Sequence, residues 1–181
     1  HLSDQIRAFA ESRNNSAIVE LLEEKQPLGT AGALSNLPDS HKGSTLVING
    51  DVLTKTDLSA MVSFHERHAY DATIAIASYD VEVPFGVVRQ TEDGMFSKID
   101  EKPHINHFIA AGIYILSAEF LNLVPPEQYM DMPHLLNLGK NIGLRIGLFP
   151  IHEYWIDVGR PDDLTAAEND YSDAPIDDKA L

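Results

Sequence analysis

The chain has 181 residues, enough for one domain with a sizeable core, and a formal net charge of −15 from 28 acidic and 13 basic side chains. So acidic a composition provides no basic footprint and argues against nonspecific binding to nucleic acid. The 44% of hydrophobic residues excludes wholesale disorder, and no apolar run approaches the ~20 residues that span a bilayer. The absence of cysteine excludes disulfides and thiolate chemistry and fits a cytoplasmic location.

Strand-like and helix-like segments alternate along the first part of the chain. The opening LSDQIRAFAESR predicts a helix rather than a basic and apolar leader peptide. A short apolar run follows at 17–22, and residues 45–50 (TLVING) predict a strand covered on both faces, because the run is apolar, β-branched and bounded by turn residues. Residues 57–68 predict a helix from the spacing of their apolar side chains, with Asp57 as its N-cap.

The second part continues the alternation and adds one hairpin. Asp93 and Gly94 between two strand-like runs predict a tight β-turn. The remaining predicted elements are strands at 72–79, 109–116 and 144–151, and helices at 118–124, 132–143 and 161–171.

This order of elements predicts an α/β protein: a three-layer α/β/α sandwich around a mixed, mainly parallel, Rossmann-like sheet. Residues 1–171 would form this domain, and the acidic residues 172–181 would be a tail or linker. Because the chain opens on a predicted helix, we expect the first strand of the domain to be missing.

Asp51 follows the predicted strand TLVING, at the edge of the sheet where α/β proteins bind ligands. Its carboxylate could be a metal ligand, or it could cap the helix that follows. Asp157 in YWIDVG presents the same two alternatives after another strand-like run. Two hard carboxylates on neighbouring strand ends, together with phosphate oxygens, would suit Mg²⁺.

Glu101 and Lys102 form a second polar feature, in the sequence DEKP after a strand-like run. A carboxylate beside an ammonium suits a sugar phosphate, since the acid accepts hydrogen bonds from hydroxyls and the amine meets the phosphate. The alternative is a surface charge pair before a turn that the proline defines.

The stretch KQPLGTAGAL at 25–34 concentrates small residues. Such residues allow either tight helix packing or the close approach of a backbone to a ligand. The chain contains neither a GxGxxG fingerprint nor a GxxxxGK[ST] P-loop, and its 8 histidines lack the spacing of a zinc site.

Taken in order, LGTAGAL, LVINGD, PFGVV, DEKP, AAGIYIL and YWIDVGRPDDL resemble motifs of the sugar-phosphate nucleotidyltransferases, or nucleoside-diphosphate-sugar pyrophosphorylases. The resemblance spans roughly residues 1–171 and implies the nucleotide-diphospho-sugar transferase fold. It also implies transfer of a nucleoside monophosphate from a nucleoside triphosphate to a sugar 1-phosphate, with release of pyrophosphate and with Mg²⁺ as cofactor.

The resemblance further implies roles for individual residues. Four residues would lie against the nucleobase and ribose: Leu28, Gly29, Thr30 and Ala31. The pocket for the sugar phosphate would contain Gly86, Glu101, Lys102 and Gly112. Asp51 and Asp157 would hold the Mg²⁺ and, with Lys102, would be the catalytic residues.

Two departures from the family pattern matter. The N-terminal loop of the form GGxGTRLxPxTxxxPKP is absent, so we expect this chain by itself to have little or no catalysis. Asn106 is only a loose substitute for the asparagine that many members place before the AGIY strand.

The sequence leaves two alternatives to an enzyme of this family. One is a non-catalytic module that binds sugar phosphate or nucleotide for regulation. The other is a glycosyltransferase, which ranks lower because NGDVLT has no second aspartate two places after Asp51. Members of such families are often homo-oligomers, and the ending resembles members with attached regulatory domains, which would lie outside this chain.

Overall fold

The computed structural model describes residues 3–12, 18–38 and 43–159. The chain divides into two compact units, which we call unit 1 (His1–Ser44 with Ser117–Leu144) and unit 2 (Thr45–Leu116 with Arg145–Leu181). The predicted helix at 161–171 and the predicted tail at 172–181 lie outside the described residues. Within the described ranges, no helix is long and apolar enough to cross a membrane.

Helices and strands alternate much as the sequence predicts. In chain order the described α-helices are α1 (Ser3–Ser12), α2 (Gly29–Gly32), α3 (Leu58–His68), α4 (Ala118–Leu121) and α5 (Met132–Asn141), and a short 3-10 helix (Ala33–Asn36) follows α2. The described strands are β1 (Thr45–Ile48), β2 (Val52–Thr54), β3 (Ala72–Glu82), β4 (Val87–Gln90), β5 (Phe96–Asp100), β6 (His104–Leu116), β7 (Ile146–Pro150) and β8 (Trp155–Asp157).

The main sheet of unit 2 has the strand order β1-β6-β3-β7. Strand β6 is antiparallel to both of its neighbours, whereas β3 and β7 are parallel, so β1, β3 and β7 all run in one direction. The predicted α/β class with a mixed, mainly parallel sheet is therefore confirmed. Two antiparallel ladders, β2–β8 and β4–β5, accompany this sheet, and the second is the predicted hairpin around Asp93 and Gly94.

Helix α3 forms where its sequence predicts, for two local reasons. The Asp57 carboxylate accepts a hydrogen bond from the Ala60 amide at 2.9 Å, which satisfies one of the free amides of the first turn. On the buried face of the helix, Met61 is fully buried and joins the core of unit 2. The other members of this core come mainly from β3 and β6: Ala75, Ala77, Ala111, Ile113, Ile115 and Ile151.

Two sequence expectations are wrong. Strand β1 is not covered on both faces, since Leu46 and Ile48 are 38% and 41% exposed; among the described residues it is an edge strand that pairs only with β6. Strand β6 starts five residues before the predicted position 109, because its first half pairs with β3 as a ribbon whose side chains are mostly exposed and carry no apolar pattern.

In unit 1, the small residues of KQPLGTAGAL pack against the backbone of residues 128–132. The Met130 carbonyl accepts hydrogen bonds from the Ala31 and Gly32 amides at 2.9 and 3.1 Å. A Cβ on Gly29 would stand 2.7 Å from that same carbonyl oxygen, and a Cβ on Gly32 would stand 2.7 Å from the Gln128 oxygen. Because neither position has room for a side chain, both glycines are required by packing inside unit 1.

Candidate functional site

The two predicted metal ligands lie on neighbouring backbone segments of unit 2, Asp51 directly before β2 and Asp157 at the end of β8. Asp157 is opposite Val52 in the β2–β8 pair, and the Val158 amide donates a hydrogen bond to the Asp51 carbonyl at 2.8 Å. Both aspartates are exposed, and no described residue forms a hydrogen bond or ion pair with either carboxylate. The helix that follows Asp51 is capped by Asp57, so Asp51 is not a helix cap. The two acids, 106 positions apart in the chain, therefore lie on backbone segments of unit 2 that are hydrogen bonded to each other.

A bulge in β6 lies next to these acids. In the β3–β6 ladder Ile74 pairs with Tyr114 and Ile76 with Ala110, so the single residue between them on β3 is opposite Ala111–Ile113. We call these three residues the β6 bulge; its central residue, Gly112, has φ +73°. Bulges re-aim a strand locally and are common beside functional sites.

Gly112 is confined by its neighbours as well as by its dihedral angle. A Cβ at this position would lie 2.9 Å from Asn49 Nδ2 and 2.9 Å from Val52 Cγ2. The residue is buried, and the side on which a Cβ would project is occupied by the chain around Asp51. Contact of Gly112 with a sugar stays a prediction, whereas its contact with the Asp51 segment is a feature of the structure.

Three of the four residues predicted for the sugar phosphate, Gly86, Glu101 and Lys102, lie at the base of the β4–β5 hairpin, whereas Gly112 lies in the β6 bulge. A Cβ on Gly86 would stand 3.0 Å from Glu101 Oε2, which places these two residues in contact. Glu101 and Lys102 form the turn between β5 and β6, where Lys102 has φ +42°, an uncommon value for a residue with a side chain. Both side chains are exposed, and neither has a salt bridge to another described residue.

The neighbouring charges of the hairpin are already paired. Asp100 accepts from Lys98 Nζ at 2.8 Å and from Arg89 Nε at 3.1 Å, and these hydrogen bonds hold the pKa of its carboxyl below the ordinary value. Lys98 and Arg89 therefore both form salt bridges with Asp100. Lys102 differs from them in having no carboxylate partner among the described residues, which leaves its ammonium available to an anion.

The predicted nucleotide-binding residues belong to unit 1, whereas Asp51 and Asp157 belong to unit 2. Leu28 and Ala31 are 4% and 0% exposed, and the Thr30 hydroxyl accepts from the Met132 amide at 2.8 Å, in the first turn of α5. A cleft of about 470 Å³ opens beside Leu28 within unit 1. Its lining residues are Leu22, Glu23, Glu24, Lys25, Gln26, Leu28, Asn36 and Glu127.

The donor set at Asp51 and Asp157 fits a hard divalent cation. Both groups are exposed carboxylates without a described protein partner, which is the kind of ligand that Mg²⁺ takes in ones and twos beside phosphate and water. Over the described residues, no cluster of three or more His, Asp or Glu side chains forms a metal site of protein ligands alone. A cation here would therefore complete its shell with oxygen atoms from substrate and water.

Sequence reasoning missed two groups that hold this site. The Trp155 indole donates from Nε1 to the Ala111 carbonyl at 2.7 Å, and the Asn49 amide donates to the Gly112 carbonyl at 2.9 Å. The single tryptophan of the chain, two residues before Asp157, was a signal that could have been used. The acceptors are backbone carbonyls of a bulge, which no sequence pattern reveals.

Comparison with known proteins assigns the class. A family profile described as "Nucleotidyl transferase" matches residues 3–174. The chain therefore belongs to the nucleotidyl transferase family, as its ordered motifs predict.

Individual relatives are similar over part of their length. A probable mannose-1-phosphate guanylyltransferase 2 from Oryza sativa subsp. japonica is 32% identical over 163 residues, covering 84% of this chain and 44% of the relative. A glucose-1-phosphate adenylyltransferase from Desulforamulus reducens is 32% identical over 161 residues, covering 78% of this chain and 39% of the relative. The chain thus spans less than half the length of these curated relatives.

Among solved structures, HddC from Yersinia pseudotuberculosis has the same fold. It superposes with a TM-score of 0.66 at 24% sequence identity, covering 93% of this chain and 74% of that structure. A second structure of HddC, complexed with GMP-PN, superposes with the same TM-score of 0.66 at 22% identity. These similarities confirm the predicted nucleotidyltransferase type of α/β fold.

Proposed function

We propose that this chain is part of an enzyme that transfers a nucleoside monophosphate from a nucleoside triphosphate to a sugar 1-phosphate. A phosphate oxygen of the sugar 1-phosphate attacks the α-phosphorus of the triphosphate. A new phosphorus–oxygen bond forms while the bond to the departing pyrophosphate breaks. The attacking oxygen is already anionic, so the reaction depends on positioning and charge neutralisation rather than on a proton-transfer residue.

One observation carries the proposal: Asp51 and Asp157, two exposed acids without a described protein partner, lie on backbone segments that are hydrogen bonded to each other at the start of β2 and the end of β8, in a chain of this family. They would hold Mg²⁺, which when bound supplies positive charge to the phosphate oxygens. Asp51 and Asp157 are held in place by the backbone, through the hydrogen bond from the Val158 amide to the Asp51 carbonyl at 2.8 Å.

The sugar 1-phosphate would bind at the turn after β5. Lys102 would meet the phosphate, since its ammonium has no described carboxylate partner. Glu101 would accept hydrogen bonds from sugar hydroxyls, and Gly86, in contact with Glu101, would let the backbone approach the ring. Leu28–Ala31 of unit 1 would lie near the nucleobase.

The proposal is tested with the protein that carries this chain. Pyrophosphate release is measured over a panel of sugar 1-phosphates and nucleoside triphosphates, with and without Mg²⁺. Replacing Asp157 by Asn should abolish Mg²⁺-dependent turnover, because one of two protein ligands loses its charge. Glu66→Gln, at an exposed acid of α3 in the same unit, is the matched control and should retain turnover.

Two outcomes would contradict the proposal. Unchanged turnover in Asp157→Asn would show that the metal assignment is wrong. Binding of a sugar 1-phosphate without turnover for any triphosphate would instead favour a non-catalytic binding module.

A further inference from the structure

The β6 bulge presents two consecutive backbone carbonyls to groups outside the main sheet. The Ala111 carbonyl accepts from Trp155 Nε1 at 2.7 Å, and the Gly112 carbonyl accepts from the Asn49 amide at 2.9 Å. In a regular strand, successive carbonyls point to opposite neighbouring strands and are used by the ladders. The extra residues of the bulge and the positive φ of Gly112 release these two acceptors for other partners.

Each of these hydrogen bonds holds one of the two acid-bearing segments. Asn49 stands two residues before Asp51, and Trp155 stands two residues before Asp157. The hydrogen bond from the Val158 amide to the Asp51 carbonyl, at 2.8 Å, then joins the two segments directly. The bulge, the turn of Asp51 and strand β8 therefore form a closed ring of contacts within unit 2.

We infer that Trp155 is a positioning residue, which sets the place of the Asp157 carboxylate relative to that of Asp51 by hydrogen bonding to the bulge. The inference rests on the proposed function of this site, since the purpose of that placement is to hold a divalent cation. Indole is a donor only, and its ring is partly buried against the core cluster, so the indole has one orientation that satisfies both packing and hydrogen bonding. Ala111 is fully buried, so no bulk water replaces the indole at its carbonyl.

The first test separates this hydrogen bond from packing. Trp155→Phe keeps an aromatic ring against the core but has no N–H, and Phe149→Leu removes part of another aromatic ring that packs on the same core. The affinity for Mn²⁺, added alone as a probe, is measured from free Mn²⁺ by electron paramagnetic resonance. We expect the Mn²⁺ dissociation constant to rise about tenfold in Trp155→Phe, as is typical when an outer partner of a metal ligand is lost.

The controls distinguish positioning from loss of stability. Phe149→Leu should lower the thermal midpoint while leaving Mn²⁺ affinity unchanged, and Trp155→His, which retains a ring N–H, should recover part of the affinity lost in Trp155→Phe. In turnover assays of the whole protein, the metal concentration for half-maximal rate should rise in Trp155→Phe, with the rate at saturating metal largely retained.

A second measurement uses the unmutated fold, in case Trp155→Phe does not fold. The chain has one tryptophan, so incorporated 5-fluorotryptophan gives a single ¹⁹F resonance. Mn²⁺ should broaden this resonance, and Asp157→Asn should remove the broadening.

The outcomes separate this inference from the proposed function. If Asp157→Asn abolishes Mn²⁺ binding while Trp155→Phe binds as tightly as the wild type, the positioning role is overturned and the metal site stands. If Mn²⁺ binds without broadening the fluorine resonance, the bound ion is not at the ladder next to Trp155, and the positioning role is again overturned. If the wild type binds no Mn²⁺, the metal site and the positioning role are overturned together.

Discussion

Replacing Gly112 by Ala perturbs the β6 bulge directly, and its effect can be worked out from two separate terms. The first is conformational, because an L-residue at φ +73° costs about 1–2 kcal/mol relative to glycine. The second is steric, because the new methyl would lie 2.9 Å from both Asn49 Nδ2 and Val52 Cγ2, well inside an ordinary contact of about 3.5–4.0 Å. Overpacking of this kind costs about 1–3 kcal/mol.

A smaller term has the opposite sign. Alanine restricts the unfolded chain more than glycine does, which favours folding by about 0.4–1 kcal/mol. The unfavourable terms are larger, so we expect Gly112→Ala to lower the free energy of unfolding by about 2–4 kcal/mol. The Asn49 amide can rotate away from the methyl, but the Val52 methyl moves only if β2 moves. The substitution should therefore also displace the Asp51 segment and weaken Mn²⁺ binding.

Gly94→Ala is the matched control for the conformational term. Gly94 has φ +82°, yet nothing lies within 4 Å of the position that its Cβ would take. It should therefore lose only about 1 kcal/mol, the conformational cost less the gain in the unfolded chain. Urea denaturation followed by circular dichroism measures both variants. Equal losses in Gly112→Ala and Gly94→Ala would refute the steric argument, and a Gly112→Ala variant as stable as the wild type would refute both terms.

Three further predictions concern stability. In α5, Gly139→Ala would gain about 1 kcal/mol of helix propensity, but its methyl would overlap the fully buried ring of Phe120. We therefore expect a lower urea midpoint, which a shorter side chain at position 120 should partly restore. Burial lowers the pKa of His65 below its ordinary value of 6.5, with its ring hydrogen bonded to Thr73 at 2.9 Å. The unfolded chain then binds more protons than the folded one, so the contribution of His65 to stability is fully present above pH 6.5 and is lost as the pH falls below it. The urea midpoints measured at about pH 7.5 and about pH 5.5 should therefore differ less in a His65→Gln variant than in the wild type. Thr30→Ala removes the hydroxyl that accepts a hydrogen bond from an amide of the first turn of α5 at 2.8 Å. It should lower the free energy of unfolding, measured in urea, by about 1 kcal/mol, and an unchanged value would show that this cap is not used.

Several features of the fold follow from short stretches of sequence. The spacing of apolar residues after Asp57 predicts α3, and the pair Asp93 and Gly94 predicts the hairpin, because helical period and turn chemistry are local properties. The order of six motifs predicts the family, and the family profile confirms it. The sequence also singles out Asp51 and Asp157, whose backbone segments the structure shows to be hydrogen-bonded neighbours.

Other features could not be read locally. In KQPLGTAGAL the small residues left helix packing and ligand approach as alternatives, and the structure shows that Gly29 and Gly32 are required by the backbone of residues 128–132. The first half of β6 shows no apolar alternation, because its ribbon with β3 is exposed and carries polar pairs such as His104 with Asp80 at 2.6 Å. Periodicity reports burial, so an exposed strand gives no such signal.

The sequence by itself determines the alternation of helices and strands, the family, and which acidic residues are candidates for a metal. Tertiary structure alone decides how the segments that carry those acids are held, through a bulge in β6 whose carbonyls accept from Trp155 and Asn49. The physical reason is the range of the interactions. Helical spacing and turns act over a few residues, whereas the Trp155 hydrogen bond to Ala111 joins residues 44 positions apart and exists only once the sheet has set its register.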